Sequence, residues 1–159
     1  MKSKTIAILG STGSIGQSTL DIVKKTDNFK VVLIAVNSNY QKTLYQIKTF
    51  KPKIVVVNNY KVYLKLKTIN KYKKIIILNN TTNVEKYIKN IDITVSAIPG
   101  IAGLEPTLTF IKLSKKVLLA NKESIVCGWK LINKDAIKFK TQLVPIDSEH
   151  FSIAELTKQ

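Results

Sequence analysis

The chain has 159 residues, enough for one full domain with its own core and too few for two large ones. Its 45% hydrophobic content and mean hydropathy of +0.05 are those of a soluble globular protein, and a single cysteine excludes an internal disulfide and a cysteine-built zinc site. The formal charge of +16 comes wholly from lysine, without one arginine, and is spread from end to end. That pattern argues for solvated faces and against a nucleic-acid surface, since arginine is the favoured reader of phosphates and base edges.

Met1–Lys4 leads straight into the apolar run Ile6–Leu9, which is far below bilayer length and lacks a small-residue cleavage site. No membrane span or signal peptide is expected, and the expected location is the cytoplasm. Six more β-branched runs follow: Val31–Val36, Ile54–Val57, Ile75–Leu78, Ile93–Ala97, Val117–Leu119 and Leu143–Ile146. They are nearly continuous rather than alternating, as strands covered on both faces are. Between them lie stretches with helical spacing. The predicted faces are Ile15, Thr19, Ile22 and Val23; then Leu44 and Ile47; then Val62, Leu66 and Ile69; then Val84, Tyr87 and Ile88; then Leu104, Leu108 and Ile111; then Ile125, Trp129 and Ile132. Cys127, within the last of these, is expected to be a small buried apolar residue. Strand–helix alternation of this kind predicts an α/β fold of Rossmann type, an open and mostly parallel sheet with helices on both faces.

The first strand–helix junction reads Gly10-Ser11-Thr12-Gly13-Ser14-Ile15-Gly16. This is a GxxGxxG variant of the dinucleotide fingerprint. Its first glycine permits a tight turn, its second clears the approach of a pyrophosphate, and its third lets helix and strand pack closely. Backbone amides at the helix start then face the anion, and Ser11, Thr12 and Ser14 are expected to add hydroxyl donors. The second strand ends in Asn37, Ser38 and Asn39, with no carboxylate for a ribose hydroxyl pair. An acid there would repel a 2′-phosphate, so its absence favours NADP over NAD.

Two later segments carry polar side chains to strand ends. Asn121 precedes a helix and serves equally as an N-cap or a ligand contact, while Lys122 opposes the helix dipole. Asp147 and Glu149 are two apart, so in extended chain they converge and suit a hard cation such as Mg²⁺ or Mn²⁺; an acid-rich helix start explains them as well.

Taken together, four blocks resemble the 1-deoxy-D-xylulose 5-phosphate reductoisomerase family, in the same order: Gly10–Gly16, Ser96–Thr107, Leu118–Ser124 and Pro145–His150. The resemblance implies that Thr12, Gly13, Ser14 and Ile15 contact NADPH, joined by Asn39, Asn121 and Glu123. It implies that Lys122 and Ser148 touch substrate, and that Asp147 and Glu149 bind a divalent metal, Mg or Mn. The family's reaction rearranges 1-deoxy-D-xylulose 5-phosphate and reduces it with NADPH to 2-C-methyl-D-erythritol 4-phosphate, in the non-mevalonate route to isoprenoids. The implied partner is that phosphorylated sugar, with no nucleic acid and no membrane, and the full-length form is expected to be a homodimer.

Two departures from the family stand out. Its members have Gly and then Arg or Lys where this chain has Asn37 and Ser38, and Lys42 is the next cation along. They also continue through a catalytic and a helical domain that supply a third metal-binding Glu, a mobile loop and most substrate-phosphate contacts. Residues 1–145 are therefore expected to form the NADP(H)-binding domain, and 146–159 the start of a truncated catalytic domain. The chain alone is then expected to be inactive, and a non-catalytic NADP-binding module is the alternative.

Overall fold

The computed structural model describes residues 3–68 and 74–146. Among these residues, seven strands and five α-helices follow in the order β1 (Lys4–Leu9), α1 (Ser14–Lys25), β2 (Phe29–Val36), α2 (Tyr40–Phe50), β3 (Ile54–Val57), α3 (Tyr60–Lys67), β4 (Ile76–Leu78), β5 (Ile91–Ser96), α4 (Leu104–Ile111), β6 (Ser114–Leu119), α5 (Lys122–Phe139) and β7 (Gln142–Pro145). The strands form one sheet in the order β4-β3-β2-β1-β5-β6-β7, and every pairing is parallel. The chain winds outward from β1 to β4, then crosses back to β5 and winds the other way. That reversal places a topological switch point between the carboxyl ends of β1 and β5, where ligands bind in open α/β sheets.

Period-two alternation splits the core into two layers. Ile6, Ile8, Ile34, Val36, Val55 and Val57 face one side and pack on Leu20 and Val23 of α1, Ile47 of α2 and Leu66 of α3. Ala7, Leu9, Leu33, Ala35, Ile54 and Val56 face the other, beneath Phe110 of α4. A third cluster joins α4, β6 and α5 through Ile111, Val117, Leu119, Ile132 and Ala136. Fully burying each Val, Leu, Ile or Phe side chain of these clusters contributes about 2 kcal/mol. At the amino edge of the sheet, remote from the switch point, Asp92 accepts from Lys115 Nζ at 2.7 Å and from the amide and hydroxyl of Thr5, both at 2.8 Å. The lysine ammonium and the two Thr5 donors hold the Asp92 carboxyl well below the usual carboxylate range.

All seven predicted strands are present, β3 with its predicted bounds and the others with an end shifted by at most three residues. Four other expectations are corrected. The stretch with Val84, Tyr87 and Ile88 is a single 3-10 turn over Val84–Lys86, because left-handed residues at Asn83 (φ 61°) and Asn90 (φ 57°) bound it. Helix α1 packs through Gly16, Leu20 and Val23, leaving Ile15 and Ile22 exposed. Its rotation is set by Gly16, which lies against the preceding turn. Trp129 is half exposed rather than packed inward. Cys127 is exposed as well, on the outward side of α5. Among the described residues no helix is long and apolar enough to cross a membrane.

Candidate functional site

The turn after β1 is fixed by its own backbone. The amides of Gly10 and Ser11 both donate to the Ala35 carbonyl of β2, at 2.8 and 3.0 Å. Gly10 has φ +83°, and a Cβ there would overlap the Ala97 carbonyl after β5. A Cβ on Gly16 would overlap the Gly10 carbonyl and the Ser11 backbone. These two glycines are demanded by the chain itself. Gly13 differs: it is exposed, its φ is −78°, and the sole neighbour of a Cβ would be the Gly10 carbonyl at 3.4 Å. Among the described residues nothing occupies the space that this glycine leaves clear.

That space lies over the start of α1. The first intrahelical bond runs from the Gln17 amide to the Gly13 carbonyl, so the amides of Ser14, Ile15 and Gly16 have no acceptor within the helix. Gly13 caps the helix with no side chain, and no acid sits in the first turn. The Gln17 side chain donates to the Thr12 carbonyl at 2.8 Å and holds the turn's outer limb. Three other helices begin differently, each capped by an asparagine oxygen: Asn39 for α2, Asn59 for α3 and Asn121 for α5.

A cleft of about 610 Å³ opens beside the turn, along the carboxyl ends of the strands. Gly10, Thr12 and Gly13 form its floor, and Asn37 its side at the end of β2. Asn58, Asn80 and Thr81, at the ends of β3 and β4, close one end. Ala97, Ile98 and Pro99 after β5, with Ala102, Glu105 and Pro106 at the start of α4, form the opposite wall. An anion laid in this cleft over the glycine-rich turn lies next to the open start of α1.

The expected residues take up several positions. Gly10, Thr12, Gly13 and Asn37 line the cleft together; Ser14 and Ile15 follow at the exposed start of α1. Ser38 and Asn39 are exposed beside it at the start of α2, where Asn39 Oδ1 accepts from the Lys42 amide at 3.0 Å. Lys42 itself lines a separate groove between α1 and α2, with Gln17, Asp21, Lys24 and Tyr45. Ser11 is the clearest correction. It is fully buried, and its hydroxyl donates to Gln46 Oε1 at 2.6 Å instead of facing an anion.

Asn121 is buried at the start of α5. Its Oδ1 accepts from the Ser124 amide at 2.9 Å, and its Nδ2 donates to the carbonyls of Ile98 and Gly100, the latter at 2.8 Å. It thereby pins the β5–α4 loop, which forms a cleft wall. Lys122 and Glu123 follow it, both exposed. Asp147, Ser148 and Glu149 lie outside the described residues; among the described ones no group of three His, Cys, Asp or Glu side chains is placed to hold a metal.

A sequence model of the 1-deoxy-D-xylulose 5-phosphate reductoisomerase family matches residues 6–128. This chain belongs to that family. The 1-deoxy-D-xylulose 5-phosphate reductoisomerase of Pelagibacter ubique is 48% identical over 157 residues, covering 96% of this chain and 40% of its own length. The fold agrees with a solved reductoisomerase from Zymomonas mobilis in complex with NADPH, at TM-score 0.85 and 34% identity over 94% of this chain and 40% of that one. A second solved structure, a DOX-P reductoisomerase in complex with magnesium, matches at TM-score 0.84 and 34% identity, over 94% of this chain and 38% of that one. The chain thus spans about two fifths of the length of the reductoisomerases it matches.

Sequence reasoning missed Asn58, Asn80 and Thr81 as parts of the cleft. Part of the signal was present: Asn58 follows an apolar run directly, Asn80 and Thr81 come two and three residues after another, and in parallel sheets the carboxyl ends of strands line the ligand crevice. It also missed Gln46, whose partner lies 35 residues away and leaves no local trace.

Proposed function

We propose that this chain is the cofactor-binding part of an NADPH-dependent reductoisomerase that acts on 1-deoxy-D-xylulose 5-phosphate. One observation carries the reading: among the described residues, the missing side chain of Gly13 serves no contact, and the helix amides beside it lack acceptors within the helix. A pyrophosphate fits that place, where the amides of Ser14 and Ile15 hold it and the helix dipole favours its charge. The Zymomonas relative, solved with NADPH, supports the choice of dinucleotide. Asn37, Ser38 and Asn39 take the adenosine end. With no carboxylate and no cation among these three, a 2′-phosphate is accepted through neutral hydrogen bonds.

NADPH, when bound, supplies the hydride; the protein supplies orientation and electrostatics. Asn121 keeps the Ile98–Gly100 loop in place as a cleft wall, and Glu123 joins the cofactor contacts. Lys122, exposed at the same edge, is positioned to meet the phosphorylated sugar, and the surplus positive charge of the chain favours its approach. Ser148 is the second substrate contact. Asp147 and Glu149 offer two carboxylates, a donor set that suits Mg²⁺ or Mn²⁺, and the solved relative with magnesium supports that choice. Residues 1–145 form the NADPH-binding unit in this reading, 146–159 open the catalytic part, and the full-length enzyme is a cytoplasmic homodimer. The test is a calorimetric titration of the chain with NADPH and NADH: saturable NADPH binding supports the reading, and no binding of either overturns it.

A further inference from the structure

Ser11 and Gln46 form a reciprocal pair beneath the glycine-rich turn. Ser11 Oγ donates to Gln46 Oε1 at 2.6 Å, and Gln46 Nε2 donates to the Ser11 carbonyl at 2.8 Å. Ser11 is fully buried and Gln46 is 3% exposed. Neither side chain faces the cleft. The pair joins two elements of the site: the turn that leads into the open amides at the start of α1, and α2, whose first residues follow Asn37, Ser38 and Asn39. Gln46 lies two helical turns beyond Asn39, on the side of α2 packed inward with Thr43 and Ile47. An apolar residue of similar size would fill the same volume. It would also leave the Ser11 hydroxyl and carbonyl unpaired in the interior, so a glutamine is a costly choice unless its geometry matters.

We propose that Gln46 is a positioning residue for the dinucleotide, setting the distance and angle between the pyrophosphate turn and the adenosine junction at the start of α2. This rests on the reading that the cleft takes NADPH. A ligand that spans both elements feels their relative placement. One that engages only the start of α2 does not.

The experiment uses the 159-residue chain as wild type, Gln46→Leu and Ser11→Ala, with melting midpoints followed by circular dichroism. Each is titrated with NADPH and with adenosine 2′-monophosphate, well below the melting midpoints. Gln46→Leu is expected to weaken NADPH roughly tenfold, the loss of two buried hydrogen bonds that order the site. Adenosine 2′-monophosphate is expected to change by less than about twofold, as an independent contact would. Ser11→Ala removes one oxygen and is expected to give a smaller loss with the same ligand preference, and it carries the test if Gln46→Leu does not fold. Unchanged NADPH affinity in a folded variant, or equal losses for both ligands, overturns the role of Gln46. Wild type that binds no NADPH overturns the cofactor reading itself, and the role of Gln46 with it.

Discussion

The chain turns from strand to helix at the same edge of the sheet after β1 and again after β6, and the two turns are finished in opposite ways. Before α5, Asn121 uses its side-chain oxygen on the Ser124 amide and its nitrogen on two carbonyls of the neighbouring loop, and Glu123 sits in the first turn against the helix dipole. Gly103 packs so closely on Asn121 that a Cβ would overlap it. Before α1, Gly13 offers no cap, no acid follows, and the amides point outward. A closed helix end needs nothing further. An open one, on rigid elements beside a cleft, is a place built for an anion.

The comparison breaks most readily at Gly16. Gly16→Ala forces a Cβ into the Gly10 carbonyl and Ser11 backbone, so the turn must move; the expected loss is about 3 kcal/mol of stability, read from urea unfolding. Gly13→Ala, three residues away, is expected to keep wild-type stability, since its Cβ meets a single atom at 3.4 Å. Equal losses at both positions would mean that the two glycines share one structural role.

Asn121→Ala tests the closed turn. It removes a cap and leaves the Ile98 and Gly100 carbonyls short of a donor, for an expected loss of about 2 kcal/mol. A change within error by the same unfolding measurement would show that the loop holds without it.

Ser38→Arg sharpens the open side. It restores a cation beside the adenosine junction, and is expected to tighten NADPH roughly tenfold while leaving NADH unchanged. An equal effect on both cofactors, by parallel titration, would place Ser38 away from the 2′-phosphate.

The smallest effect lies at the opposite edge. The Asp92 carboxyl is held low by Lys115 and Thr5, so its contribution to stability is full above the ordinary aspartate range and is lost as pH falls through its lowered value. Asp92→Asn is expected to cost about 1 kcal/mol or less at neutral pH and to flatten the acid limb of the stability profile, with NADPH affinity unchanged. A steeper acid limb in the variant would contradict the pairing.

Much of this contrast was legible in the sequence because strands and turn glycines leave strong local marks. Continuous β-branched runs announced all seven strands, and the glycine spacing announced the turn. Helix rotation was less legible. Helix α5 carries apolar residues on its outward side as well, with Val126 at 75% and Ile137 at 71% exposure, so periodicity alone could not set its phase or that of Cys127. In α1 the inward face is led by a glycine, which hydropathy does not mark. The fate of the Ser11 hydroxyl depended on Gln46, a partner brought near only by the fold.

The most direct test of the central claim is an NADPH titration of wild type against Gly13→Val, with melting midpoints measured alongside. A branched side chain at Gly13 fills the place assigned to the pyrophosphate. The account predicts saturable binding by wild type and loss of binding in a variant that remains folded. Unchanged NADPH affinity in folded Gly13→Val would contradict it.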